Sequence, residues 1–135
     1  MTKREEIISA IITLLRSSEG IEHVERSLVK AYDTEETPVV VVHRGAETIS
    51  NELIGAIDRT MDLRITVICR GDDPEVAADN LMGIVHPVLM TASLPDVMEI
   101  SETGSDEPKY ADRPTAGCFV QSHYSVRDRT QPNTL

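Results

Sequence analysis

Four consecutive valines, residues 39–42 in the stretch TPVVVVHRGAE, constrain the fold of this chain most strongly. Branched side chains favour an extended backbone, and an unbroken apolar run is typical of a strand that is covered on both faces. Pro38 is compatible with this interpretation because it stands at the start of the strand, where proline is tolerated. We therefore predict a buried strand within residues 37–47.

A second strand is predicted over residues 61–70, because apolar residues recur there at every second position from Met61 to Cys69. The stretch between the two strands, SNELIGAID, holds Leu53, Ile54 and Ile57 at the tip of a long hairpin. Apolar residues at such a tip have two interpretations. They fold back on the core as a short helical turn, or they contact another subunit.

The N-terminal segment predicts a helix over residues 3–18. Thr2 and Glu5 have the spacing of a capping box, isoleucines and leucines follow at helical spacing, and Gly20 is a suitable stop.

A second helix is predicted to start at Asp73, which would cap it, and Pro74, which suits the first helical position. Because proline lacks an N–H and restricts the residue before it, Pro87 is expected to end or kink this helix near His86.

The remaining segments predict shorter elements. Strands are expected over residues 24–33 and 117–126, and residues 94–101 are expected to form a short turn that leads into a strand. Residues 101–115 are expected to form an acidic loop rich in proline and glycine. The order of elements predicts an α+β domain in which a largely antiparallel, mixed sheet carries both helices on one face. We expect one domain over residues 1–127 and a flexible C-terminal tail over 128–135.

Composition narrows the possible functions. The net charge is −10, from 13 Lys+Arg against 23 Asp+Glu, which argues against specific nucleic-acid binding or an anionic membrane surface. Two cysteines are too few for a disulfide framework, and no run reaches membrane-spanning length. We therefore expect a cytosolic protein with reduced thiols.

No catalytic or cofactor motif is present in the sequence. The glycines form no phosphate loop, and the histidines are far apart in the chain. Cys118 and His123 are five residues apart, so on one strand they would lie on opposite faces. A weak divalent-ion site is conceivable at Asp72, Asp73 and Glu75, although carboxylates there also suit a helix start. We expect no enzyme activity and no cofactor.

Three stretches together resemble a known family, the lambda-type tail terminator proteins of long-tailed phages and prophages. They are DTEETPVVVVHRGAE, DLRITVICRGDDPE and GIVHPVLMTASLPDV, and the similarity spans roughly residues 3–126. The departure lies in the last strand, which continues into the tail RDRTQPNTL and has fewer aromatic residues.

The resemblance implies a structural protein, formed in the host cytoplasm, that assembles as a homo-oligomeric ring, hexameric in the best-known members. Such a ring caps the tail tube at the head-proximal end of the virion tail, stops polymerisation, and offers a surface to the head completion or connector protein. Each subunit of a ring needs two complementary patches. The candidate interface residues are Leu53, Ile54, Ile57, Arg59, Arg64 and Arg70.

Two alternatives remain open from the sequence. The first is another small head–tail completion or connector protein of similar fold. The second is a small enzyme or ligand-binding domain with a site around Cys69, His86 or His123, which a pocket with converging polar groups would favour. For ring closure, the acidic stretch 99–107 and arginines such as Arg127 supply opposite charges.

Overall fold

The computed structural model describes residues 1–26, 38–110 and 117–135, and its centre is a mixed β-sheet. Within these residues, the six strands in chain order are β1 (Val24–Glu25), β2 (Val39–Ser50), β3 (Ile57–Cys69), β4 (Val97–Ser105), β5 (Lys109–Tyr110) and β6 (Cys118–Thr130). Side by side the strands run β1-β2-β3-β6-β4, and β5 also pairs with β6. β1 and β2 are parallel, whereas the other pairings are antiparallel.

Two helices, α1 (Lys3–Arg16) and α2 (Pro74–Met90), cover one face of this sheet. Their apolar stripes share one buried core with alternate residues of the strands, among them Leu63 and Ile65 of β3. Each large aliphatic side chain removed from water in this way contributes roughly 1.5–3 kcal/mol. The predicted α+β class, with both helices on one face of a mostly antiparallel sheet, is confirmed.

The valine run of β2 is buried on both faces, as its sequence predicts. Val40 and Val42 face the helices and join the main core. Val39 and Val41 point the other way and form a smaller buried cluster with Ile68 of β3. Both faces of the sheet are therefore apolar at this point, which explains why the sequence of β2 does not alternate here.

The two helices start differently. At α1 the Thr2 hydroxyl accepts a hydrogen bond from the Glu5 N–H at 3.3 Å, so the predicted cap is present, and the helix ends at Arg16 rather than at residue 18. At α2, Asp73 occupies the predicted N-cap position but its side chain makes no capping hydrogen bond. The carboxylate there acts on the helix through its charge alone.

The helix α2 does not end near His86, which was one of the two outcomes predicted for Pro87. The helix runs through Pro87 to Met90, and the Thr91 N–H donates to the Pro87 carbonyl at 3.0 Å. Proline removes one helical hydrogen bond, but one further turn buries Leu89 completely. Burial of that leucine offsets the lost hydrogen bond, so packing overrides the local signal.

The C-terminal strands are longer than predicted. β4 continues to Ser105, and β5 lies within the stretch 101–115 that was predicted as loop. β6 continues to Thr130, so residues 128–130 of the predicted tail pair with β3. These residues are polar, and their strand conformation follows from pairing with a long partner rather than from their own propensity.

Two predictions fall partly outside the described residues. Of the predicted strand over residues 24–33, the structure describes β1 and Arg26, and 27–37 lie outside it. Residues 111–116 of the predicted loop lie outside it as well.

Within the described parts of the chain, no helix is long and apolar enough to cross a membrane.

Candidate assembly surface

The hairpin formed by β2 and β3 keeps its pairing to the last residues. Ser50 pairs with Asp58, so the short connection 51–56 extends beyond the paired strands. Gly55 in this connection has a φ of 75°, a left-handed conformation that glycine adopts without steric cost. The connection therefore turns sharply and holds its side chains at the outer end of the sheet.

Apolar side chains at this tip are open to solvent. Leu53 is 47% exposed and Ile54 is 104% exposed, whereas Ile57 at the start of β3 is half-buried. Apolar surface left in water forgoes roughly 25 cal/mol per Å² of stabilisation. The interpretation in which this segment folds back on the core is therefore wrong for Leu53 and Ile54.

Strand register places other elements at the same end of the sheet. Ile57 pairs with Thr130, and Val97 pairs with Asp128. Because β6 runs between β3 and β4, the starts of β3 and β4 and the end of β6 lie side by side. The hairpin tip, the beginning of β4 and the C-terminal residues therefore share one end of the molecule.

Both chain termini reach this end as well. The Lys3 N–H donates to the Leu135 carbonyl at 2.9 Å, and Lys3 Nζ lies 3.0 Å from an oxygen of Asp96, just before β4. Of the ten exposed large apolar side chains in the described residues, seven lie here: Met1, Ile49, Leu53, Ile54, Met90, Met98 and Leu135. We call the surface that these seven residues mark the hairpin end.

The other exposed large apolar side chains among the described residues, Val76, Ile84 and Tyr110, lie elsewhere. Val76 is in the first turn of α2, and Tyr110 pairs with Cys118 at the opposite end of β6. Single exposed apolar residues are ordinary, but several on one surface are typical of an interaction site. The hairpin end is thus the best candidate for such a site.

Arg59, one of the predicted interface residues, is buried within the subunit rather than exposed at the tip. It is only 8% exposed and lies beneath the hairpin end. Its guanidinium donates to Glu47 at 3.2 Å, to the Thr130 hydroxyl at 2.9 Å and to the Thr134 carbonyl at 3.2 Å. An arginine with these partners joins β2, β3, β6 and the tail within one subunit.

A buried charge cluster surrounds Arg59. Glu47 accepts a second ion pair from Arg4 of α1 at 3.0 Å, and Asp128 lies beside them with 2% of its surface exposed. Burial raises the pKa of Asp128, and the Glu47 carboxylate adds to this effect, while Arg59 opposes it. The hairpin end therefore rests on a base of buried charges whose stability depends on pH.

The remaining predicted interface arginines are separated along β3. Arg64 lies mid-strand, where its Nε donates to Asp62 at 3.0 Å, and Arg70 follows the strand at the end remote from the tip. Neither is near Leu53 or Ile54. The structure thus brings together only the apolar members of the predicted set at the tip.

Several of the opposite charges considered for ring closure pair within the subunit. Arg127 donates to Glu99 at 3.1 Å, and Arg129 donates to Asp58 at 2.6 Å. These pairs join neighbouring strands and are solvent-exposed, so water and salt screen them and each contributes little to the stability of the subunit. Because these ion pairs contribute little to stability, their charged side chains can pair with residues of another subunit instead.

The face of the sheet opposite the two helices, which we call the helix-free face, carries a cluster of polar side chains. The Thr66 hydroxyl accepts a hydrogen bond from Gln121 at 2.9 Å and lies 3.2 Å from His43 Nε2. Burial lowers the pKa of His43, and the charge of Arg64 lowers it further. A cavity of about 320 Å³ beside this cluster is bordered by Thr66, Gln121 and Phe119.

His123 on the same face links three segments. Its Nε2 lies 3.0 Å from Asp106, and its Nδ1 lies 3.3 Å from Asp62. The hydrogen bond to Asp106 raises the pKa of His123, Asp62 raises it further, and burial opposes both. Through these two contacts His123 joins β3 and β6 to the segment that follows β4.

The residues proposed for a catalytic site do not converge. His86 contacts Tyr124 at 2.8 Å and Glu102 at 3.2 Å, and Cys69 lies in the main core. His123 lies on the opposite face of the sheet. The contact between His86 and Tyr124 was not predicted, because the two residues are far apart in the chain and only the packing of α2 against the sheet brings them together.

The acidic group at the start of α2 forms no metal site. Among the residues that the structure describes, no group of three or more His, Cys, Asp or Glu side chains could hold a metal ion, and Asp72, Asp73 and Glu75 are among those described. Glu75 instead accepts a hydrogen bond from the Tyr110 hydroxyl.

No protein-family model matches the sequence, and no curated protein matches it.

Proposed function

We propose that this protein is a phage or prophage tail terminator, which forms a ring on the end of the tail tube, stops its polymerisation and offers a surface for head joining. The single observation that supports an assembly role is the hairpin end, where seven exposed apolar side chains lie at one end of a small acidic domain. The phage assignment rests on the resemblance of the strand, hairpin and helix sequences.

The hairpin end suits ring formation because its most exposed members stand on a rigid support. Leu53 and Ile54 project from a hairpin whose strands are paired up to Ser50 and Asp58. Arg59 and Glu47 fix the two strands just beneath the tip by a 3.2 Å ion pair. A tip held in this way enters a neighbouring subunit at a low entropic cost.

The contact is of the head-to-tail kind. A tip on one subunit that enters a different surface on the next generates a closed ring when the rotation between subunits divides a full turn evenly. Exposed ion pairs such as Arg127 with Glu99 can rearrange across such a contact with little loss. The ring is the working form, and the tube end and the head connector are its partners.

The test combines particle imaging with a polymerisation assay. The purified protein is imaged by negative-stain electron microscopy, and it is then added to the polymerising tail tube protein of the phage or prophage that we propose encodes it. Closed rings, together with tubes that stop growing once they carry a ring at one end, are the expected result. Tubes that grow equally with and without the protein would reject the terminator role, even if rings form.

A further inference from the structure

We propose that Cys69 and Cys118 form a modification site: a pair of thiols that oxidises to an intramolecular disulfide joining β3 to β6. The two residues are directly opposed as the last rung of the β3–β6 ladder, and both side chains belong to the main core. Directly opposed residues in antiparallel strands have Cα atoms about 4.5–5.5 Å apart, within the range that a disulfide spans. This inference does not depend on the proposed function.

The position of the pair allows the small adjustment that a disulfide requires. Cys69 is the last residue of β3 and Cys118 is the first of β6, so the rung lies where the ladder ends. Gly71, two residues after Cys69, has a φ of 124°, which glycine tolerates freely. Both thiols are free in this structure.

The two thiols differ in their access to solvent, and this difference determines which of them is oxidised first. Both side chains are almost fully buried, but Cys69 borders a solvent-open cavity of about 270 Å³ that Leu81 and Ile84 also line. Cys118 is fully buried, and β5 pairs with it through Tyr110. A small oxidant therefore reaches Cys69 first.

With hydrogen peroxide as oxidant, the chemistry balances in two steps. The Cys69 thiolate attacks a peroxide oxygen, forming an S–O bond and breaking the O–O bond, and the leaving hydroxide takes up a proton. The Cys118 thiolate then attacks the sulfur of the sulfenic acid, forming the S–S bond and releasing a second hydroxide. Two thiols lose two electrons and two protons, and one peroxide becomes two waters.

The reaction should be slow at neutral pH and faster in alkali. Burial raises the pKa of Cys69, and the neighbouring Cys118 adds to this effect. Burial also raises the pKa of Cys118, as does the Glu75 carboxylate, while a hydrogen bond from Tyr110 opposes the rise. Since the thiolate is the nucleophile, the initial rate should increase about tenfold for each pH unit from 7 to 8.5.

The experiment treats the folded full-length protein with hydrogen peroxide and follows its intact mass. The expected product is a monomer about 2 Da lighter that no longer reacts with iodoacetamide, even after unfolding. The single variants Cys69→Ser and Cys118→Ser should not give this product. The disulfide should raise Tm by roughly 5–15 °C, since it closes a long loop.

A matched control moves one thiol along the same strand face. In the double variant Val67→Cys with Cys69→Ser, the new thiol faces Val120 and is diagonal to Cys118. Diagonal residues are about 7–8 Å apart, so this variant should form the disulfide at least about tenfold more slowly. Phenylarsine oxide, which bridges close thiol pairs, should add once to the parent protein whether or not the variants fold.

Three outcomes would each overturn the inference. One is a parent protein that gains about 16 or 32 Da without losing thiol pairs, the mark of separate sulfur oxidation. Another is a disulfide that forms only in denaturant or only between two molecules. The third is an equal rate in the diagonal control.

Discussion

The two ends of the β2–β3 hairpin contain similar apolar residues in opposite surroundings. At the base, Val40 and Val67 pair with each other and are completely buried. At the tip, Ile49 is 64% exposed and Ile54 is fully exposed. The folded subunit uses the first pair to hold itself together and leaves the second without a role in its own core. Apolar residues that a domain does not need for folding are available for a partner.

Arg59 lies at the boundary between these two regions. Replacing it should lower the free energy of unfolding more than any of the other changes predicted below. Replacing Arg59 with alanine leaves Glu47 buried without one of its two cations. Removing one partner of a buried ion pair costs about 3–5 kcal/mol. Urea denaturation should show a loss of this size in the free energy of unfolding.

A double replacement serves as the control for Arg59. Removing both charges with Arg59→Met and Glu47→Leu should recover much of the lost stability, because no uncompensated charge remains. A loss below about 1 kcal/mol for Arg59→Ala alone would place this residue on the surface, as the sequence-based interpretation had it.

Truncating one apolar residue in each region tests the comparison directly. Leu63→Ala, in the buried part of β3, should lower the free energy of unfolding by about 2–5 kcal/mol. Ile54→Ala at the tip should change it by no more than about 0.5 kcal/mol. Equal losses, measured by urea denaturation, would mean that the tip belongs to the subunit core.

The titration of Asp128 should make the stability of the buried charge cluster beneath the hairpin end depend on pH. Because burial raises its pKa in the folded protein, its contribution to stability should fall as pH rises from the unfolded value near 3.8 through the folded pKa. Asp128→Asn lacks this titration, so its stability relative to the parent should increase over the same pH range. A pH-independent difference in urea denaturation would contradict the assignment.

The two histidines on the helix-free face, His43 and His123, should have the smallest effect on stability. Their pKa values should differ from each other. Asp106 and Asp62 raise the pKa of His123, so its contribution to stability is present below 6.5 and is lost as pH rises through the folded pKa. Burial lowers the pKa of His43. Proton NMR should show His123 titrating above 6.5 and His43 below it. In Asp106→Asn the His123 pKa should fall, and an unchanged value would exclude the contact.

Much of this fold follows from local sequence patterns. The alternation in β3 and the valine run of β2 each predict a strand, and both strands are observed, with the valine run buried on both faces. Capping at Thr2 likewise predicts α1 within two residues. Such features depend on neighbours in the chain, which a sequence displays directly.

Features set by distant residues could not be predicted in the same way. α2 passes through Pro87 because Leu89 finds a buried position against the sheet, and Arg59 is buried because Glu47 and Thr130 meet it from other strands. The exposure of Leu53 and Ile54 was one of two open interpretations. Only the register of β2 and β3 decides between them.

The central claim is that the hairpin end is the assembly surface, and the molar mass of the protein in solution tests it most directly. The double variant Leu53→Ser with Ile54→Ser is compared with the parent by size-exclusion chromatography with light scattering over a range of concentrations. Val76→Ser is the matched control, since Val76 is 56% exposed but lies at the other end of the molecule. The account predicts a parent and a control that assemble equally, and a double variant that remains a folded monomer with an unchanged free energy of unfolding. A double variant that unfolds, or that assembles as the parent does, would contradict it.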